Sequence, residues 1–260
     1  MRLNVKNIFG AGLIALAFSV GTAKIASAQS CTVPPTCDAL GYTKTATDCK
    51  DMSTLKCPFD QSKVFCVTAA EAGGAGACKV ANVGDILFSD MSCGSSMVDG
   101  KRAIGVIFEP DYRLAVALST TTKVWSTEYF DIPGLTNSSQ SEAMADYNGK
   151  NNTKTIMTYC VANSKSCPAA EYASNFSTLG TQAGDWYLPG LGELNALYSH
   201  KTAVNEGLSK AKGTALPDSY HWSSSEHSNN LAWGQGFGNG NVNYYNKADS
   251  SNYVRPVLAF

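Results

Sequence analysis

From Val83 onward the chain alternates between short apolar runs and polar, turn-rich breaks, and that spacing predicts its elements. "DILFSD" (Asp85 to Asp90) reads as a strand, and "AIGVIFE" (Ala103 to Glu109) and "RLAVALS" (Arg113 to Ser119) flank "PDY" as the arms of a hairpin. "KVWS" adds a short strand, and residues 131–150 read as a loop with a short helix in the middle. Asn152-Thr153 can cap a helix over "KTIMTYC", and Pro168 stands in the first turn of a second helix, "PAAEYASNF". The segment "DWYLPGLGELNALYSHKTAVNEGLSKA" starts as a strand and turns at Pro189-Gly190. It then takes helical spacing, with Leu191, Leu194, Leu197 and Tyr198 on one face and a stop at Gly213. "YHWSSSE" (Tyr220 to Glu226), "LAWGQGF" (Leu231 to Phe237) and "YVRPVLAF" (Tyr253 to Phe260) close the chain as strands. Strands, then helices, then strands predict an α+β fold with an antiparallel sheet, not a doubly wound parallel one.

One stretch departs from this rhythm. Gly234 to Asn252, "GQGFGNGNVNYYNKADSSN", holds five Asn, four Gly, two Ser and two Tyr. Asn and Gly are ordinary turn formers, so a plain hairpin loop is one reading. The stretch is longer than a tight turn needs, however, and Tyr with Asn, Ser and Gly is the composition of adaptable binding surfaces. The residues expected to bind a ligand are Gln235, Asn239, Asn241, Asn243, Tyr244, Tyr245, Asn246 and Asp249.

The region before Val83 is built differently. Residues 1–28 read as a secretory signal: Arg2 and Lys6, then the apolar "AGLIALAFSV", then "ASA" before Gln29. The apolar run is too short to span a bilayer, and no later segment of the mature chain is long and apolar enough to do so. Six cysteines follow within a short, turn-rich segment: Cys31, Cys37, Cys49, Cys57, Cys66 and Cys78. Such a segment is too small to bury a core of its own, so disulfides are expected to staple it. Cys160 and Cys167 flank a loop between two helices and are a further candidate pair. The spacings are too wide for zinc knuckles, and His200, His221 and His227 lie far from the cysteines, so no metal or cofactor is expected. The organisation is thus a signal (1–28), a Cys-rich segment with its linker (29–80) and a larger domain (83–260).

Charge narrows the function. Residues 1–28 carry three basic and no acidic residues, so the 20 basic and 21 acidic residues of the whole chain become 17 and 21, a mature charge of −4. There is no basic stripe, which excludes a nucleic-acid partner on electrostatic grounds.

The order of "GDWYLPGLGELNALY", "WSSSE", "AWGQGF" with a downstream Gly and Lys, and "YVRPVLAF" resembles a bacterial family of C-type-lectin-like domains. That family includes domains appended to collagen-like adhesins and is distantly similar to the formylglycine-generating enzyme fold. The resemblance covers roughly residues 83–260. It implies terminal strands lying close together, two or more helices, and a loop-rich region supporting a ligand face. Some members of this class are variable proteins of diversity-generating retroelements, and the Asn/Tyr/Ser content of Gly234 to Asn252 is similar to such a cassette.

The residues oppose catalysis. No cysteine follows Cys167, so the thiol chemistry of the formylglycine-generating enzymes has no late cysteine to use. Ser223 to Ser225 with His221 lack a nucleophile-elbow pattern and an assigned acid. The calcium-lectin loops E-P-N or Q-P-D and the W-N-D strand do not occur here. Glu193, Trp222, Trp233 and Arg255 are read as structural; Arg255, inside an apolar strand, is expected to pair with Asp185, Glu193 or Glu226. The expectation is an exported, non-catalytic adhesin or receptor-like protein that binds an extracellular or surface protein or a glycan. The rival reading is a structural envelope component without a discrete ligand.

Overall fold

The computed structural model describes strands β1 (Ser53–Lys56) and β2 (Val64–Val67), which form an antiparallel pair, and residues 78–260. All of these belong to one compact unit, Pro35–Phe260. The signal, the linker and Cys31, Cys37, Cys49 and Cys57 lie outside the described residues, as does the side chain of Cys66.

The larger part holds two sheets. The first runs β3 (Ile86–Phe88), β4 (Cys93–Gly94), β5 (Ala103–Glu109), β6 (Leu114–Ala117), β8 (Trp186–Tyr187) and β13 (Val257–Ala259), in the order β4-β3-β5-β6-β13-β8. The second joins β7 (Thr121–Val124), β9 (Tyr220–Ser228), β10 (Leu231–Gly236), β11 (Val242–Asn246) and β12 (Ser251–Val254), in the order β11-β10-β9-β12-β7. Its pairs are antiparallel except β12 with β9, where Tyr253 sits opposite His221 in parallel. The helices are α1 (Gln140–Met144), α2 (Gly149–Ala162), α3 (Pro168–Asn175), α4 (Leu191–Ser199) and α5 (Lys201–Lys210).

The near-continuous apolar run of β5 follows from burial on both faces, since a sheet covered on both sides has no solvated side for polar residues. Ile86, Phe88, Val106, Phe108, Leu114, Val116 and Val257 pack against Leu194, Leu197, Val204 and Leu208 of α4 and α5. The alternate residues Leu87, Ile104, Ile107, Ala115, Ala117 and Leu258 pack with Trp186 and Cys78. The second sheet has its own core, where Trp125, Trp222, Ala232 and Val254 meet Ile156 of α2 and Ala169, Ala170 and Ala173 of α3.

Five expectations change. The helix placed over "KTIMTYC" begins a turn earlier, at Gly149, so Asn152 and Thr153 are buried inside it and do not cap it. Thr153 instead exchanges hydrogen bonds with Leu188, its hydroxyl donating to the carbonyl at 3.1 Å and accepting the amide at 3.0 Å. The long helical pattern after Leu191 breaks at His200 into α4 and α5. "YVRPVLAF" is two strands, because Pro256 has no amide to donate. The chain leaves the second sheet after Val254 and enters the first at Val257, while the Ala117 amide donates to the Pro256 carbonyl at 2.9 Å.

Cys78, grouped above with the N-terminal cysteines, is bonded to Cys93 and belongs to the core of the larger domain. Cys160 and Cys167 form the second disulfide. Arg255 does not pair with a carboxylate: its Nε donates to the Ala117 carbonyl at 2.8 Å and its Nη2 to that of Thr214 at 2.7 Å. Burial pushes its pKa down to about 10, which the neighbouring Tyr172 opposes.

The two ends of this domain meet at Arg113. Its Nε donates to the Phe260 carbonyl at 2.7 Å and its Nη1 to the Cys78 carbonyl at 3.0 Å, with the guanidinium over the Phe260 ring.

Candidate functional site

The polar run is a structured edge. Val242 to Asn246 pair with Gln235 to Leu231 of β10, so β11 is the outer strand of the second sheet. Beneath it, β10 is buried, and Gly234 is required there because a Cβ would stand 2.9 Å from the His221 carbonyl oxygen.

Two buried side chains anchor the run, one on either side of β11. Gln235, assigned above to the binding surface, is fully buried; its Nε2 donates to the Gly240 carbonyl at 2.8 Å and closes the β10–β11 turn. Lys247, the lysine downstream of "AWGQGF", is also fully buried. Its ammonium donates to a Glu226 carboxylate oxygen, to the Phe130 carbonyl at 2.8 Å and to the Asn229 carbonyl at 3.2 Å. All three donors of the ammonium are therefore satisfied, and it lies 4.8 Å from the Trp125 ring centroid. Glu226 further accepts from the Ile132 amide and from Thr136 Oγ1 at 3.2 Å. Burial pushes the Glu226 pKa up and that of Lys247 down, and the pairing of the two opposes both shifts.

The other candidates are spread along this edge. Asn239, Asn241, Asn243, Tyr244, Asn246 and Asp249 are exposed, and Tyr245 is half-buried. Side chains alternate along a strand, so Tyr244 and Asn246 project to one side and Asn243 and Tyr245 to the other. Tyr244 lies opposite Trp233 and rests on an aromatic floor, with ring centroids 5.3 Å from Trp233 and 4.2 Å from His227. Trp233 is fixed by its Nε1, which donates to the Asn137 carbonyl at 2.8 Å. Tyr245 packs on Tyr220 at 4.7 Å and Trp222 at 6.2 Å, and Trp222 Nε1 donates to the Lys123 carbonyl at 2.9 Å. Asn239 Oδ1 accepts the Asn241 amide at 3.1 Å, and Asn243 Oδ1 accepts the Tyr244 amide at 2.9 Å. Asp249 accepts from the hydroxyl of Tyr129. The exposed candidates thus lie in sequence order along the edge strand and its flanking turns, on both sides of the sheet, and this rim has Tyr129 and His227 as neighbours that only the tertiary fold brings there.

The polar residues of β9 are built into the scaffold. Ser223 Oγ donates to the Trp233 carbonyl at 2.8 Å, and Ser225 Oγ donates to Asp146 at 2.6 Å and accepts the Leu191 amide at 3.0 Å. His221 is fully buried between Phe237 and Tyr253, and burial lowers its pKa to about 3. Glu193 caps α4: its Oε2 accepts the Gly190 amide at 2.8 Å and its Oε1 the Tyr187 hydroxyl at 3.2 Å. Burial first, then Asp146, raises its pKa to about 7 against these hydrogen bonds. A polar cleft of about 250 Å³ lies between residues 134–137 and the α1–α2 connection. There Asp146 Oδ2 already accepts from Asn152 at 2.8 Å as well as from Ser225. Among the described residues no group of three or more His, Cys, Asp or Glu is arranged to hold a metal ion.

Two sheets closed by the last strands, with helices packed on both, define a C-type-lectin-like α+β domain. Residues 118–258 match the model of the Lcl C-terminal domain, and the chain belongs to that family. The matched region contains β9 to β12 and therefore the whole edge described above. The fold is also similar to that of a fimbrial protein from Bacteroides ovatus ATCC 8483, with a TM-score of 0.56 and 18% identity over 69% of this chain and 49% of that one. The chain thus spans about half the length of that protein. A comparison with curated proteins finds no match.

Proposed function

We propose that this is an exported, non-catalytic binding protein of the bacterial surface. It recognises a protein or a glycan through the rim formed by Asn239, Asn241, Asn243, Tyr244, Asn246 and Asp249. The observation that carries this reading is the division of labour in the run. Gln235 and Lys247 are fully buried and anchor β11 on either side, while the strand and its flanking turns display Asn and Tyr side chains between and beyond them. Rigid aromatic area combined with adaptable hydrogen bonding is what a recognition surface needs. The absence of catalysis is supported by the serines of β9, whose hydroxyls are committed to the scaffold, and by His221, which is too buried to act as a base. Export is supported by the two disulfides and by the leader-like sequence.

The test is a panel of immobilised extracellular glycans and surface proteins probed with the full chain, alongside a variant with all six rim residues replaced by Ala. At least a tenfold loss of binding at unchanged thermal stability is expected; retention of binding by that variant would sink the assignment. Diversification of the same run is checked at the gene. A neighbouring reverse transcriptase and a near-copy of the cassette differing only at adenines would establish it.

A second reading is favoured by the fimbrial protein of similar fold: a structural subunit whose exposed edge strand meets another copy. Concentration-dependent self-association lost in the same six-residue variant would favour it.

A further inference from the structure

The polar cleft of about 250 Å³ between residues 134–137 and the α1–α2 connection has an uneven lining: its donors turn inward and its acceptors outward. The Asn152 side-chain amide commits both hydrogens, to Asp146 Oδ2 at 2.8 Å and to Ser224 Oγ at 3.3 Å. The Asn137 amide donates to the Leu135 carbonyl at 3.3 Å and to Asp146 Oδ2 at 3.4 Å. The Asn148 backbone amide donates to Asp146 Oδ1 at 3.0 Å. Asp146 is thus saturated from within the protein.

The oxygens left over face the cleft. Asn152 is only 6% exposed, and the carboxylate of Asp146 fixes which end of its amide points inward. Its Oδ1 has no partner among the described residues and opens on the cleft. A nearly buried carbonyl oxygen is costly unless a donor reaches it, so that donor comes from whatever fills the cleft. Asn137 Oδ1 is likewise uncommitted. Glu142 adds an exposed carboxylate, whose Oε2 accepts the Ser139 amide at 3.1 Å and whose Oε1 is left over. Acceptors held this way lose little freedom when a ligand arrives.

These groups select the ligand. It must donate hydrogen bonds, and an anion is opposed by Glu142 and Asp146, with no Lys or Arg in the lining. A lysine side chain would need apolar surface for its stem, and Leu135 and Ala145 are the only apolar side chains in the lining. A sugar ring carries hydroxyls on all sides, and each can donate to one of these oxygens. The cleft also adjoins the Tyr244 side of the polar rim. Trp233 joins the two, its Nε1 donating to the Asn137 carbonyl at 2.8 Å and its ring lying 5.3 Å from that of Tyr244. We infer that the cleft takes one residue of a neutral glycan, whose hydroxyls donate to Asn152 Oδ1, Asn137 Oδ1 and Glu142. The rest of the glycan runs past Trp233 toward Tyr244. This rests on the reading of this face as a recognition surface and narrows its ligand to an uncharged sugar chain.

The probe is a set of immobilised neutral oligosaccharides of glucose, galactose and mannose, offered to the full chain, with heparin fragments and the blocked tripeptide Gly-Lys-Gly as comparison ligands. Saturable binding of at least one neutral oligosaccharide, and of neither comparison ligand, is expected. Ala145 is exposed at the end of α1, so Ala145→Leu keeps the fold and fills the cleft; it should weaken binding at least about tenfold at unchanged Tm. Glu142→Gln should retain binding within about twofold, because an amide oxygen still accepts from a hydroxyl. The proposal is overturned if only heparin or Gly-Lys-Gly binds, if nothing binds, or if Glu142→Gln abolishes binding. Unchanged affinity in Ala145→Leu, with loss in the six-residue rim variant, overturns the cleft and leaves the rim. Loss in Ala145→Leu, with retention in the rim variant, overturns the rim and supports the cleft.

Discussion

The residue with the largest leverage is Lys247. It sits in the middle of the most polar stretch of the chain, yet it is fully buried against Glu226. Removing one member of a buried ion pair leaves an uncompensated charge and costs about 3–5 kcal/mol, whereas replacing both with apolar residues of similar volume is close to neutral. Lys247→Met should therefore lower stability by about that amount in a denaturant titration, and Lys247→Met with Glu226→Leu should recover only part of it, because the Phe130 carbonyl and the Ile132 amide still lose these partners. A single variant as stable as the wild type would show that the pair does not anchor the run. Glu193 predicts a pH effect. Its folded pKa, about 7, lies above the ordinary 4.5, so the folded state holds a proton that the unfolded state has released. The contribution is fully present below about 4.5 and is lost as pH rises through about 7. His221 has the opposite sign, since its pKa is lowered to about 3 and its contribution is lost as pH falls below the ordinary 6.5. The Glu193 part is isolated by comparison with Glu193→Gln, a residue that still suits the cap. The wild-type stability should fall relative to that variant between pH 4.5 and 7, and parallel profiles would refute the assignment.

At the scale of elements, the polar run shows what a sequence can hide. "VNYYN" lacks the apolar alternation of a half-buried strand because it is an edge whose outward positions meet water, so the pattern pointed to a loop. Its strand character comes from β10, "LAWGQG", which the pattern did identify. Gln235 misled for a related reason: a polar side chain between two glycines looks exposed, but its hydrogen-bond partner lies five residues on, across a turn. These roles separate by mutation. Gln235→Ala leaves the Gly240 carbonyl without its partner and should cost about 1–3 kcal/mol, whereas Asn243→Ala and Asn246→Ala on the rim should each stay within about 0.5 kcal/mol. Thermal denaturation of the three variants checks the contrast, and equal losses would mean that the rim is structural. Gly192→Ala should displace Tyr147 and destabilise the start of α4, because ring and Cβ cannot share that space.

At the scale of the molecule, the hairpin of β5 and β6, the strand at Trp186, the helices at Pro168 and Leu191, and the α+β order were legible, since local period and turn chemistry determine them. Partnerships across sheets were not. Arg255 sits in an apolar run and suggests a carboxylate, yet two carbonyls brought together from Ala117 and Thr214 satisfy it. Cys78 looked like the last of six clustered cysteines, yet it bonds to Cys93 in the following domain. Only the Pro256 break could have been read earlier, because a proline within a run already argues against one continuous strand.

That break also governs when the molecule can assemble. Val254 pairs with Thr121 in one sheet and Val257 with Val116 in the other, so the few residues around Pro256 complete both sheets at once. Neither sheet is finished until these residues emerge from the ribosome. Contacts of such long sequence separation form late and slowly. A nascent chain of this topology therefore locks only when its last strands arrive. Chains truncated after Asn252 should remain protease-sensitive, while chains carried through Phe260 should become resistant in a single step.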